Sequence, residues 1–441
     1  MNPKKILKKF SPGWLLSAYH FFLAYAAAAL YGFPSKKMAM IGVTGTKGKT
    51  TTANFVWAAL TGAGFKTGLV GTANVRIGEK EEMNKYHMTM PGPLVMQKIF
   101  SDMVKAGCTH CVFETTSEGI VKWRHKGIAY DFAIFTNLTP EHLPSHGGSF
   151  ENYKAAKGKM FVELMKSARK TITGKELKKT TIINSDSPHK EYFLSFPADK
   201  RITYGLGETS DFKAQDISTT PDGVSFDIKG EDYTLRVIGE FNVMNALPAI
   251  IAAKEFGATR EAIQKGFDAL TLIPGRMEKI SLGQPYTLFV DYAHEKESMT
   301  AVLKTAQAIT RNTGGKIIVL LGAEGGGRDK AKRPIMGELA GKMADHVICS
   351  NVDPYEDEPL PIAEDIAVAA EAAGKIRELD LFVILDRRTG IRKALELAQP
   401  NDVVLITGKG AEQSIVIGGV ASPWDDREVV REELSLILKK T

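Results

Sequence analysis

Short, almost wholly apolar runs alternate with stretches of helical periodicity along most of this chain. The strand-like runs are "MAMIGV" from Met38, "KTGLVGT" from Lys66, "HCVFETT" from His110 and "FAIFTNL" from Phe132, with helical sequence between them. Apolar runs of this length, bounded by turn residues, suit strands buried on both faces, and their alternation with helices makes the sheet largely parallel. The texture then shifts to "RITYG", "VSFDIK" and "YTLRVIG", whose short alternation predicts an antiparallel piece, followed by a helix over Asn245–Phe256. Pro274 and Gly275 interrupt the pattern as a linker. A second alternating series follows: "YTLFVDYAH", "KIIVLLGAEGGGRDK", "HVICSNVDPY", "LFVILD" and "DVVLITGKGAEQ". The expectation is an α/β protein with a central domain, mostly parallel in its sheet, over residues 38–273 and a C-terminal Rossmann-like α/β domain over residues 274–441.

Residues 1–37 stand apart as a basic and apolar helical segment. "MNPKKILKKF" is basic, and Trp14–Phe33 is nearly uninterrupted apolar sequence. Its length borders on that of a membrane span. Ser17, His20 and the weakly hydrophobic alanines count against a span, and no convincing cleavage site follows it. A helix laid on the folded body or on another subunit is expected, with a peripheral membrane anchor through residues 1–35 as the alternative.

Composition narrows the functional classes. With 44% hydrophobic and 24% charged residues among 441, widespread disorder is excluded and more than one core is expected. The formal charge of +6 fits a small anionic substrate, and the absence of basic blocks argues against nucleic acid. Three cysteines cannot form a disulfide framework, which favours the reducing cytoplasm. "CTHC" has zinc-like spacing, but with no second pair Cys108 and Cys111 are expected to be buried structural residues.

Chemistry enters at "IGVTGTKGKTT". A strand feeds into Gly45, Thr46, Lys47, Gly48, Lys49, Thr50 and Thr51, and a helix follows. Such a loop wraps phosphates with its backbone amides, aided by the helix's positive end. Lys49 would reach the outer phosphates, and Thr50 or Thr51 would hold Mg²⁺. The general pattern asks for a glycine where Val43 stands, so a plain glycine turn competes with this reading. Two further strand ends carry candidate metal ligands: Glu114 beside three hydroxyls, then Glu141, His142 and His146, with Lys157 on the next helix. Taken singly, each reads as an ordinary surface residue.

In this order the motifs resemble those of the Mur ligase family, the ATP-dependent ligases that build the cytoplasmic peptidoglycan peptide, with kin that make folylpolyglutamate. The resemblance covers roughly residues 38–425. It implies that "TGTKGKTTT" is the ATP loop, that Thr50, Glu114 and His142 hold Mg²⁺, and that Lys157 in "YKAAKGKMF" is carbamoylated and completes the metal set. Lys49, His142 and Lys157 then carry the catalysis. "GEFNVMNALPAI" implies that Asn242 and Asn245 lie near the nucleotide; "IPGRME" and "VDYAHEKES" add Arg276, Asp291, Tyr292 and His294. The glycine-rich "GAEGGGRDKAKRP" brings in Arg328 and Asp329 as substrate contacts.

Within the family, "HMTMPGP", "ETTSEGIVKWRH", "CSNVDPYEDEPL" and "TGKGAEQ" are most similar to the ligases that add the third residue of the peptide stem. The first two imply Thr89, Thr116, Lys122 and Arg124 as muropeptide contacts. The last two imply Asp353, Tyr355, Gly408 and Glu412 around the incoming amino acid. The sequence departs from the family in three places. About forty residues precede the ATP loop where the family has a whole uridine-binding domain, so UDP recognition is not carried over. Tyr355 stands where the diaminopimelate-type pattern has an arginine, and Ala411 replaces a histidine. The expected activity is amide-bond formation through an acyl phosphate, with ATP and Mg²⁺, onto a muropeptide-like acceptor. The alternatives are a UDP-free, lipid-linked or polyglutamate-type acceptor and, further off, a P-loop ATPase switch that forms no bond.

Overall fold

A computed structural model describes residues 13–84, 86, 88–140, 143–220 and 223–439. Its internal contacts divide the chain into two units. One comprises the residues up to Ile217 together with Ser225–Leu235 and Asn242–Leu270; the other comprises Ser218–Val224, Arg236–Phe241 and the chain from Thr271 onward.

In the first unit a helix, α1 (Gly13–Leu30), precedes β1 (Ala39–Thr44), α2 (Lys49–Gly62), β2 (Thr67–Val70), β3 (Asn74–Ile77) and β4 (Lys80–Met83). Then come α3 (Pro93–Lys105), β5 (His110–Glu114), β6 (Phe132–Phe135), α4 (Phe150–Lys166), β7 (Thr180–Asn184), β8 (Lys200–Gly205) and β9 (Phe212–Lys213). The nine strands form one sheet in the order β9-β8-β7-β6-β1-β5-β2-β3-β4. All neighbours from β9 to β2 run parallel, and β3 and β4 close one edge as an antiparallel hairpin. Every residue of β1 is buried, as its unbroken apolar run requires of a strand covered on both faces. β1 lies between β5 and β6, where the strand order reverses, so the loop after it opens into the crevice where ligands gather in such sheets.

One expectation is corrected here. "RITYG" is β8, a parallel strand of the main sheet paired with β7, whereas Gly223–Ile228 and Glu231–Leu235 lie in a separate three-stranded sheet. Alternation signals a strand but not the direction of its partner. The helix expected from Asn245 is α5 (Phe241–Glu255), which begins four residues sooner and carries Pro248 inside.

α2 packs against α6 (Arg260–Ala269) through the edge-on rings of Phe55 and Phe267, 5.5 Å apart, and through two glycines where backbone meets backbone. A Cβ at Gly62 would lie 2.4 Å from the Ala262 carbonyl oxygen, and one at Gly266 would lie 2.1 Å from that of Ala58. Only glycine permits so close an approach.

The second unit holds a six-stranded sheet. Its order is Glu278–Lys279, Thr287–Asp291, Val403–Thr407, Ile317–Leu321, His346–Cys349 and Leu381–Val383, parallel apart from the first short strand. Successive side chains of Ile317–Leu321 alternate between two cores: Ile317, Val319 and Leu321 pack on one face, Ile318 and Leu320 on the other. A sheet with helices over both faces accounts for strands without polar positions.

Candidate active site

The loop after β1 is held by the end of β6. The amides of Thr46 and Lys47 donate to the Asn137 carbonyl oxygen and Oδ1, both at 2.8 Å, and Thr136 Oγ1 donates to the Lys47 carbonyl at 2.7 Å. Gly48 turns the chain into α2 with φ of 79°, and a Cβ there would lie 2.3 Å from Asn245 Oδ1. Glycine is therefore required twice over, by dihedral and by space. Asn245 in turn donates to Asn242 Oδ1 at 3.1 Å, which links the two asparagines of α5. The first-turn amides of α2, from Lys49 on, present its positive end there.

Lys49 Nζ donates to the carbonyls of Gly45 and Thr46 at 3.1 and 2.8 Å. Lys157, on α4, is only 2% exposed and donates to the same Gly45 carbonyl at 2.7 Å. Two ammonium groups from distant parts of the sequence therefore converge on one oxygen of the loop. Thr46 Oγ1 lies 3.0 Å from the Tyr153 hydroxyl, which ties α4 to the loop a second time.

Glu114 ends β5, directly beside β1 in register with Val43. Its carboxylate is 1% exposed and accepts from Thr50 Oγ1 at 3.1 Å, the Thr72 amide at 2.6 Å and Thr72 Oγ1 at 3.0 Å. Among the described residues no lysine or arginine lies in ion-pair reach of it. A buried carboxylate matched by neutral donors alone, flanked by threonine hydroxyls, is the donor set of a hard divalent cation. Magnesium therefore fits Glu114 and Thr50 as they stand.

The remaining expected residues fall as follows. Thr89 Oγ1 lies 2.8 Å from Thr72 Oγ1 and so joins the Glu114 cluster. Thr116 caps the short helix Ser117–Val121, and Arg124 donates to the Met90 carbonyl; Lys122 is exposed. Glu141 and His142 lie outside the described residues. His146 is a correction: far from being a surface histidine it is buried, with Nε2 3.1 Å from Ser117 Oγ. Cys108 and Cys111 are buried, and burial pushes both thiols up.

The second unit holds another polar cluster. Lys409 is fully buried, and its Nζ donates to Asp353 Oδ2 and Glu412 Oε2, both at 2.8 Å. Burial pulls its pKa down, but Glu412 and Asp353 outweigh that and leave it above the ordinary lysine value. Asp353 is buried and also accepts from the Val416 amide. The Tyr292 hydroxyl donates to Glu412 Oε1 at 3.2 Å, and the Arg276 guanidinium lies 4.5 Å over the Tyr292 ring. The segment expected at the adenosine and the segments expected at the incoming amino acid thus meet in one network. His294 Nε2 lies 3.3 Å from Glu295 Oε1. Asp291 accepts from the amides of Met277 and Ala293, and burial raises its carboxyl against the pull of Arg276. Tyr355 adopts φ of 56° and packs on Gly326 of the glycine-rich loop, where Arg328 and Asp329 are exposed. Gly408 donates its amide to the Asp291 carbonyl.

Sequence reasoning missed Thr72, Asn137, Tyr153 and Lys409. Each acts across the fold, and only the position of "KTGLVGT" at a strand end hinted at Thr72.

Comparison with known proteins identifies the two domains. The profile of the Mur ligase middle domain matches residues 43–253, and that of the Mur ligase glutamate ligase domain matches residues 275–410. Over 421 residues the chain is 38% identical to the UDP-N-acetylmuramyl-tripeptide synthetase of Roseiflexus sp. (strain RS-1), spanning 94% of this chain and 82% of that protein. A solved UDP-N-acetylmuramoyl-L-alanyl-D-glutamate--2,6-diaminopimelate ligase superposes with a TM-score of 0.61 at 28% identity, covering 91% of this chain and 79% of that one. The Mycobacterium tuberculosis folylpolyglutamate synthase complexed with ADP and AMPPCP superposes with a TM-score of 0.68 at 19% identity, covering 88% and 92%, a likeness of fold alone.

Proposed function

The chain belongs to the Mur ligase family and is an ATP-dependent ligase, and on that premise we propose that it joins an amino acid to a muropeptide-like acceptor through an acyl phosphate. A carboxylate cannot expel oxide, so it must be activated. An acceptor carboxylate oxygen attacks the γ-phosphorus of ATP, the bond to the bridging oxygen breaks, and ADP leaves. The amine of the incoming amino acid attacks the acyl carbon, loses a proton, and phosphate departs with the electron pair of the C–O bond.

The residues of the loop divide this work. Lys49 would offset charge on the phosphoryl oxygens, and the first-turn amides of α2 would orient them. Glu114 and Thr50 would hold magnesium, joined by His142 and by Lys157 once carbamoylated. Bound there, the ion supplies charge neutralisation at the transferred phosphoryl group. The Lys157 amine would form an N–C bond to carbon dioxide and release a proton, which turns a cation beside that site into an anion. Asn242 and Asn245 would border the nucleotide. Arg276, Tyr292 and His294 would contact its adenosine. Thr89, Thr116, Lys122 and Arg124 would hold the acceptor, and Asp353, Tyr355, Gly408 and Glu412, with Arg328 and Asp329, the amino acid.

The observation that carries this reading is the meeting of Lys49, Lys157 and Glu114, through Thr50, around one loop. The test is phosphate release from ATP and Mg²⁺ with UDP-linked and UDP-free muramoyl dipeptides and a panel of amino acids. Release that needs one acceptor and one amino acid together is expected. No release with any pair would sink the proposal. Full ATPase turnover by Lys157→Ala without acceptor would favour a P-loop switch instead.

A second reading concerns the acceptor alone. The outward apolar face of α1 supports a UDP-free or lipid-linked acceptor, and faster turnover on the UDP-free dipeptide is its expected sign.

A further inference from the structure

The outer surface of the first unit carries an apolar face that the ligase chemistry does not use. On α1, Trp14 is 72% exposed, Phe22 69% and Leu30 71%, and Leu15, Tyr19 and Tyr25 are exposed with them. At about 100° per residue these six side chains fall within about 160° of arc. The opposite side is sealed to the body. Ala24, Ala27 and Ala28 are fully buried, Trp123 Nε1 donates to Ser17 Oγ at 2.7 Å, and the rings of Phe21 and Trp123 meet edge-on at 5.4 Å. α1 is therefore a docked helix with a second, unspent apolar face, and an exposed patch of this kind marks an interaction surface.

The charge pattern identifies the partner. The chain's 57 basic and 51 acidic residues leave +6, and lysines 4, 5, 8, 9, 36 and 37 account for all of it, because the first 37 residues contain no acidic residue and no arginine. Lys36 and Lys37, just past the helix, are exposed. Tryptophan and tyrosine beside lysines, on a helix that lies flat, match the headgroup layer of an anionic membrane. No helix among the described residues is long and apolar enough to cross a bilayer.

We infer that the outward face of α1 docks the protein on an anionic bilayer surface, with the aromatic side chains among the headgroups and Lys36 and Lys37 against their charge. The probe is co-sedimentation of the full chain with phosphatidylcholine vesicles with and without phosphatidylglycerol, in low and high salt, with no ATP or acceptor present. Failure here therefore leaves the ligase reading untouched. Binding at least about tenfold tighter with phosphatidylglycerol is expected, weakened by salt. Trp14→Ser/Phe22→Ser should abolish binding while thermal unfolding stays unchanged, because both side chains face solvent. A wild-type chain that stays in the supernatant, or a variant that binds as tightly, overturns the inference. So does a wild-type dimer that this variant disperses, since a second copy would then own the face.

Discussion

The polar clusters of the two units solve the same physical problem in opposite ways. Around the phosphate loop, Glu114 is buried among amide and hydroxyl donors, and among the described residues no lysine or arginine pairs with it. In the other unit, buried Lys409 sits between two carboxylates, each 2.8 Å away. A buried charge must be compensated, and the first cluster leaves that task to something that arrives while the second completes it internally. The first is left open to a cation. The second holds its own shape.

The sharpest way to break this contrast is Lys157→Ala, expected to lower kcat by about a thousandfold, the scale on which a preorganised charge contributes. Phosphate release measures it, and removing carbon dioxide from the buffer should mimic it in the wild type, with recovery on adding bicarbonate. Next is Lys409→Met, which strands Asp353 and Glu412 without their cation. A loss of about 3–5 kcal/mol in denaturant unfolding is expected, and Asp353→Asn in the same chain should return part of it. Glu114→Gln should leave stability nearly unchanged but raise the magnesium concentration for half-maximal activity by about 10–100-fold. If Glu114→Gln unfolds the protein and Lys409→Met does not, the contrast is inverted.

The smallest effect concerns pH and neither cluster. Burial holds His110 at about 4, and burial with Lys126 and Lys159 nearby holds His125 at about 3. The unfolded chain takes up these protons near the ordinary value of about 6.5, so it binds more protons than the fold below that pH. Stability from these sites is full above 6.5 and falls as the pH drops through 6.5 toward 4. Calorimetry should show a Tm lower by several degrees at pH 5 than at pH 7, and His110→Phe should flatten the slope.

What could be read from the sequence follows how far apart the cooperating residues lie. The strand, loop and helix around Gly48 are legible because glycine, lysine and apolar periodicity act within a dozen residues. Glu114 was legible as a strand end, but Thr72, which supplies two of its donors from 42 positions away, was not. Lys409 looks like one more lysine in "TGKGAEQ" until the fold brings Asp353, 56 residues distant, to its ammonium. "RITYG" shows the same limit for the sheet: alternation announced a strand, and only pairing with Thr180–Asn184 set its direction.

The helix that begins at the phosphate loop ends against bare backbone. At Gly62 over the Ala262 carbonyl and Gly266 over that of Ala58, α2 and α6 meet with no side chain in between to yield. A tilt at the start of α2 would therefore be carried into α6 at these two glycines, as a stiff rod transmits a push. The residue that follows α6, Leu270, is the last of the first unit before the chain enters the second at Thr271.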